Sequence, residues 1–293
     1  MIDKMYFSLA PNKVDIDIIM NERPQNILVS YALWSKEKGK NKLSNIVRYF
    51  WKNKYYPNIM LDSGAYSFRG DSQERSFLDI ISPFVYEVLL DYDLGKEFRT
   101  FDDCLTYYID LIVDKEIDHY WTNKDNLETH LKNYPNLLDF LEFIFINRYY
   151  IKHIVSLDDI YSDKISIDNW AVIKTYFENA IPTFHYGEPF NVLGFYVAYG
   201  ATYIGLGGIA LAKSNGAKFK DIIEWINTCT EKYPTIKFHL FGCQDYRIID
   251  YISVHSADGA AWIISAAMKS RKTGKSKFDL ACENIRKKDI KGK

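Results

Sequence analysis

Three aspartates end stretches that read as strands: Asp62 in IMLDSGAYSF, Asp158 in IKHIVSLDD and Asp258 in SVHSADGAAW. A carboxylate can serve as nucleophile, as general base or, once protonated, as general acid. Two of them in one pocket can divide those roles when their surroundings push their protonation apart. Substitution at an anomeric carbon uses such a pair, because one carboxylate can trap an oxocarbenium-like centre as a covalent ester. Each Asp taken singly also fits a helix N-cap or a turn. The recurrence of one pattern at three places favours chemistry. If the three runs are strands of a parallel barrel, their C-terminal ends converge on one mouth.

Other residues at such ends extend the set. Ser63 and Gly64 follow Asp62, Gly207 and Gly208 end the run in IGLGGIA, and His185 and Tyr186 lie in IPTFHYGE. Glycine there either admits a ligand close to the backbone or simply makes a tight βα turn. Gly205, Gly207 and Gly208 are spaced wrongly for the dinucleotide fingerprint, and no cofactor is expected. His185, His239 and His255 fall on or beside strands, but their spacing matches no metal motif, and no metal is expected. Cys104, Cys229, Cys243 and Cys282 lie far apart, which reads as free thiols in a reducing compartment.

The elements that must position these residues alternate along the chain. Strands are expected at Lys4 to Leu9, Asn26 to Leu33, from Ile59, Ile151 to Asp159, Ile181 to Glu188, Ala201 to Ala210, Ile236 to Cys243 and Ser253 to Trp262. Helical patterns fall between them: Leu43, Ile46, Val47 and Phe50; Asn169 to Asn179; Val192 to Tyr199; Phe219 to Tyr233; Tyr246 to Ile252. Residues 76–150 carry helical periodicity, for example at Leu105, Tyr108, Ile109 and Ile112, and read as a helical insertion. Alternating strands and helices indicate βα units on a parallel sheet. About eight strands, nearly all ending in polar residues or glycine, favour an α/β protein of the (β/α)8 TIM-barrel type over an open doubly wound sheet. No linker or repeat divides residues 1–293, and 293 residues suit one barrel of roughly 250 with an insertion.

Composition narrows the class. A net charge of −1 argues against a uniformly basic nucleic-acid coat, although the tail 269–293 is basic. That tail reads either as a solvated helix with a frayed end or as a phosphate-backbone contact. No basic stretch followed by a long apolar one opens the chain, and no apolar run reaches about 18 residues. The expectation is a soluble cytoplasmic protein with no membrane partner. Nothing in the sequence speaks to oligomeric state.

The pieces LDSGAYSF, SLDD, FHYGE, IGLGGIA, HLFG and SADGAAW, in that order, resemble the tRNA-guanine transglycosylases. The likeness is greatest to the shorter phage and bacterial relatives that insert 7-deazaguanines into DNA. It runs from about Ile59 to Trp262, and no single piece is specific by itself. It implies a barrel enzyme that exchanges guanine in a polynucleotide for guanine or a 7-deazaguanine base, with retention at C1′. By the same resemblance Asp258 matches the nucleophile and Asp62 the acid/base. Asp158 matches the acid on the base edge, Ser63, Gly64, Gly207 and Gly208 surround the base, and His185-Tyr186 stand at a base-contacting strand end. Ala65 replaces the family's second glycine, Ser67 stands in its Gln position, and no CxCxxC zinc cluster follows. Those departures favour DNA over tRNA as the polynucleotide. Two other readings use the same acids differently: a nucleoside hydrolase or deoxyribosyltransferase on free nucleosides, and a non-catalytic nucleic-acid-binding barrel that partners an enzyme.

Overall fold

A computed structural model describes residues 2–39, 42–64, 135–159 and 162–289. The chain opens with β1 (Ile2–Leu9), α1 (Lys13–Glu22), β2 (Asn26–Ser30), the helical turn α2 (Tyr31–Trp34), α3 (Leu43–Lys52) and β3 (Asn58–Asp62). It continues through α4 (Pro135–Asn147), β4 (His153–Ile154), α5 (Asp163–Tyr176), β5 (Thr183–His185), α6 (Phe190–Ala198) and β6 (Tyr203–Gly207). Then come α7 (Ile209–Ser214), α8 (Phe219–Lys232), β7 (Lys237–Leu240), α9 (Tyr246–Ile249), β8 (Val254–Gly259), α10 (Ala261–Thr273) and α11 (Lys277–Asp289). The central part of the proposed insertion, with Leu105, Tyr108, Ile109 and Ile112, lies outside the described residues; Pro135–Asn147 at its end is helical.

All eight strands are parallel, in the order β4-β3-β2-β1-β8-β7-β6-β5. The two ends of that row meet through a parallel bridge between Val155 and Ile181. Ile181 N–H donates to the Ile154 carbonyl and Ser156 N–H to the Ile181 carbonyl, both at 2.8 Å. The circle is therefore closed, and the fold is a (β/α)8 barrel.

The strand sequences are apolar on both faces because both faces are buried. Tyr6, Leu28, Met60, Val155, Ile181 and Tyr203 cluster in the interior, one from each of six strands or their extensions. Phe7, Val29, Leu61 and Ile204, each next in its strand to one of these, belong instead to the larger core shared with the helices, as do Leu206 and Leu240. Helix α3 shows how that core is sealed: Leu43, Val47 and Phe50 fall on one face and are all buried.

Several expected boundaries shift, each for a local reason. The second strand ends at Ser30 instead of Leu33, because Tyr31–Trp34 turn back so that Trp34 Nε1 donates to the Leu9 carbonyl at 2.9 Å. The fourth strand is only His153–Ile154; beyond Ser156 the chain leaves the sheet and carries Asp158 on a loop. Helix α5 starts at Asp163, six residues before the expected Asn169, because Ser162 Oγ accepts from Ile165 N–H and Asp163 fills the first turn. Trp262 belongs to α10, not to the last strand.

The basic tail is corrected most. Lys277–Asp289 is an integral helix whose Leu280, Ala281, Cys282 and Ile285 are buried. Arg286 forks onto Glu22 of α1 with two 2.7 Å bonds. This helix is a structural part of the barrel's outer layer; residues 290–293 lie outside the described residues. Among the described residues no helix is long and apolar enough to cross a membrane.

Candidate active site

Register places the chemistry. Ser30 pairs with Asp62, Tyr6 with Asp258 and His185 with Gly207, so these positions share the C-terminal end of the barrel. There Asp62, Asp158, Asp258, His185, Tyr186, Gly207 and Gly208 line one cavity of about 810 Å³. Phe241, Gly242 and the turn from Ile209 to Ala212 complete much of its wall. The sequence-selected acids, scattered over nearly 200 positions, thus converge as the barrel geometry requires.

Asp62 ends β3 with its carboxyl open to the cavity and otherwise enclosed by protein. Burial, reinforced by the nearby carboxylates of Asp158 and Asp258, pushes its pKa up to about 8. The Gly64 N–H, which donates to Oδ2 at 3.1 Å, opposes that shift without cancelling it. Asp62 is therefore mostly protonated at neutral pH and can donate a proton.

Asp258 ends β8 in a different setting. Its Oδ1 accepts the Gly242 N–H at 2.7 Å, and its Oδ2 accepts the Ser8 hydroxyl at 3.0 Å. His239 Nε2 also faces Oδ1, at 3.4 Å. Donors on both oxygens suit a carboxylate. Oδ1 is the anchored oxygen, whereas Oδ2 holds only a hydroxyl that can rotate aside.

Asp158 belongs to a separate network. Ser63 Oγ donates to its Oδ1 at 2.7 Å, and its Oδ2 lies 2.9 Å from His185 Nε2. On the other side of the ring, Nδ1 lies 2.9 Å from Glu188 Oε1, while the His185 N–H donates to Oε2 at 2.8 Å. Burial disfavours a charged ring here, but the Asp158 and Glu188 carboxylates outweigh it and raise the pKa to about 10. His185 is thus an imidazolium at neutral pH, pinned by two carboxylates, and presents a fixed charged edge to the cavity.

Ser63 and Gly64, expected around a bound base, lie behind the wall. Ser63 is fully buried and orients Asp158. Gly64 packs on the β2–α2 corner with φ +75°, where an added Cβ would stand 2.4 Å from Ser30 Oγ and 2.6 Å from Ala32 Cβ. Gly64→Ala is expected to destabilise the fold by about 2–4 kcal/mol, through strain and overlap together. Thermal denaturation checks this, and an unchanged midpoint would refute the packing described. Gly207 and Gly208 do face the cavity. A Cβ on Gly207 would meet Thr183 Cγ2 at 2.8 Å and His185 Cδ2 at 2.9 Å.

Sequence reasoning passed over Glu188, Ser8, Gly242 and His239 as site residues. Glu188 stood in the same FHYGE piece, three positions after His185. Ser8 is the next-to-last residue of β1, and Gly242 follows the end of β7 by two positions. His239 had the look of a core histidine, and it is indeed fully buried. The three histidines weighed as a group lie apart in role: His185 at the mouth, His239 against Asp258, and His255 paired with Asp3 at 3.1 Å.

No protein-family model and no curated protein matches the chain. Among solved structures, the YdjI aldolase from Escherichia coli K12 is similar in shape, with a TM-score of 0.46 and 8% identity over 98% of this chain and 88% of that one. Fold and site together define a (β/α)8 barrel whose C-terminal mouth gathers three aspartates and a doubly paired histidine around one cavity.

Proposed function

We propose that the protein is a pentosyltransferase that exchanges guanine in DNA for a 7-deazaguanine base through a covalent sugar ester on Asp258. The observation that carries this reading is the pairing in one cavity of Asp62, protonated at neutral pH, with Asp258, whose oxygens accept hydrogen bonds as a carboxylate's do. The polynucleotide and the incoming base come from the ordered sequence resemblance.

In the first step Asp258 Oδ2 forms a bond to C1′ as the bond from C1′ to the base nitrogen breaks, and Asp62 gives its proton to that nitrogen. In the second, the incoming base loses its N–H proton to the Asp62 carboxylate and bonds to C1′, which releases Asp258. Two inversions give net retention, and Asp62 returns to its starting protonation. His185, whose two ring N–H groups are taken by Asp158 and Glu188, offers positive charge and not a free donor to the carbonyl edge of the base. A duplex base must leave the stack before it can reach acids at this depth.

The test is incorporation of labelled guanine into duplex DNA, single-stranded DNA, bulk tRNA and free deoxynucleosides. Label is expected in DNA. Label confined to tRNA would keep the chemistry and overturn the substrate. Exchange or hydrolysis confined to free deoxynucleosides would replace the polynucleotide reading with a nucleoside enzyme. Binding of DNA without turnover of any substrate would favour a non-catalytic partner.

A further inference from the structure

On the β2–β5 side the barrel interior holds Leu28, Met60, Val155 and Ile181, with His153 edge-on against Tyr203; toward β6, β7 and β8 it becomes more polar. There a continuous line of side chains descends from Asp258. His239 Nε2 faces Asp258 Oδ1 at 3.4 Å, His239 Nδ1 lies 2.5 Å from Ser256 Oγ, and Ser256 Oγ is bonded to the Tyr203 hydroxyl. Tyr6 and Phe241 close edge-on against the His239 ring, at centroid distances of 5.7 and 4.6 Å. His239 and Ser256 are fully buried, so water does not scramble the line from outside.

The proton inventory gives this line a direction. Burial keeps the Tyr203 phenol protonated, with its pKa raised. Its O–H has one hydrogen to give, and its bonded partner among the described residues is Ser256 Oγ, an oxygen able to accept it or to donate in return. A serine hydroxyl that accepts there directs its own hydrogen at His239 Nδ1. Nδ1 is then the bare nitrogen, and the ring proton sits on Nε2, aimed at Asp258 Oδ1. The reverse polarity would set the Nε2 lone pair against a carboxylate oxygen 3.4 Å away; Nε2 makes no hydrogen bond among the described residues, so what it offers Asp258 across that gap is a dipole.

We infer that His239 is a positioning residue for Asp258, with its Nε2–H tautomer dictated by Ser256 and Tyr203, so that Tyr203 at the bottom of the barrel tunes the carboxylate at the top. This deepens the transfer reading and rests on it only for its kinetic consequence. With its Nε2–H directed at Oδ1 across 3.4 Å, the His239 ring favours the carboxylate's present rotation and its negative charge. That leaves Oδ2 for attack and makes the carboxylate a better leaving group when the ester resolves.

Two measurements test this on the full chain. In the first, histidine-selective ¹⁵N-labelled protein is examined by long-range ¹H–¹⁵N NMR. The His239 ring, assigned by its loss in His239→Gln, should be neutral with the proton on Nε2, and Ser256→Ala should mix the tautomers. A neutral Nδ1–H ring or a doubly protonated ring in the wild type would overturn the inference, whatever reaction the protein catalyses. In the second, Ser256→Ala and Tyr203→Phe are compared with wild type for base exchange. A kcat lower by about 10- to 100-fold with KM kept is expected. An unchanged kcat with only a lower thermal midpoint would make the line structural and overturn the inference, with base exchange by the wild type still standing. Absence of exchange in the wild type would fell the transfer reading and leave the NMR result to decide the relay.

Discussion

Asp258→Ala is expected to lower base exchange by at least about 10⁴-fold and to abolish any covalent adduct between protein and DNA. The size follows from the role: without the carboxylate there is no ester, and what remains is the acid of Asp62 and the binding of the base. The structure also says what else the substitution costs. The Gly242 N–H and the Ser8 hydroxyl lose their acceptor, and a part-buried donor left unpaired costs about 1–3 kcal/mol. Activity therefore has to be compared at a temperature well below the variant's own midpoint. Asp258→Asn is the companion, since its amide oxygen can still accept from Gly242 while its amide forms no ester. Acid-quenched reactions with labelled DNA, separated under denaturing conditions, report the adduct directly. An adduct that survives in both variants would move the nucleophile elsewhere in the cavity, with Asp62 the first candidate. Normal biological activity in Asp258→Ala would instead favour the non-catalytic barrel.

Much of this site was legible in the sequence because strand ends carry a local signature. Asp62, Asp158 and Asp258 each close a stretch that reads as a strand, and a parallel barrel needs nothing further to bring such ends together. The supporting residues were hidden for a different reason. Ser8 and Gly242 act on Asp258 across 250 and 16 positions, and only strand order β1-β8-β7 sets them beside it. His239 is indistinguishable in sequence from a packed histidine, because both sit in an apolar strand; its role comes from one nitrogen facing a carboxylate. Ser63 misled in the opposite direction, since its place after Asp62 suggests ligand contact while its hydroxyl turns back to Asp158. Short strands fared similarly. IKHIVSLDD reads as one long strand, yet the sheet needs only His153 and Ile154, with Val155 closing the ring.

The protonation of Asp62 yields the second large effect, one in which stability and activity move in opposite directions. An acid with an ordinary pKa of 3.8 in the unfolded chain and about 8 in the folded one favours folding most when it is protonated in both states. That contribution is complete below pH 3.8 and is lost progressively as pH rises from there to about 8. At pH 7 the loss is on the order of 4 kcal/mol at most, taking about 1.4 kcal/mol per unit. Asp62→Asn keeps the shape, keeps an oxygen for the Gly64 N–H and removes the titration. The variant should match wild type in stability near pH 4, exceed it increasingly toward pH 8, and gain nothing further above that. Urea or thermal unfolding of both proteins at several pH values measures the difference, and a difference that stays flat with pH would refute the raised pKa. Base exchange should meanwhile fall by about 10²–10⁴-fold, the usual share of a general acid/base. In the wild type, exchange should decline above about pH 8 as Asp62 loses the proton it must donate. A carboxyl that weakens the fold at neutral pH and supplies the proton for the reaction is what a catalytic acid among other acids has to be. A capping or turn aspartate would show the reverse, losing stability on substitution at neutral pH and leaving the rate unchanged.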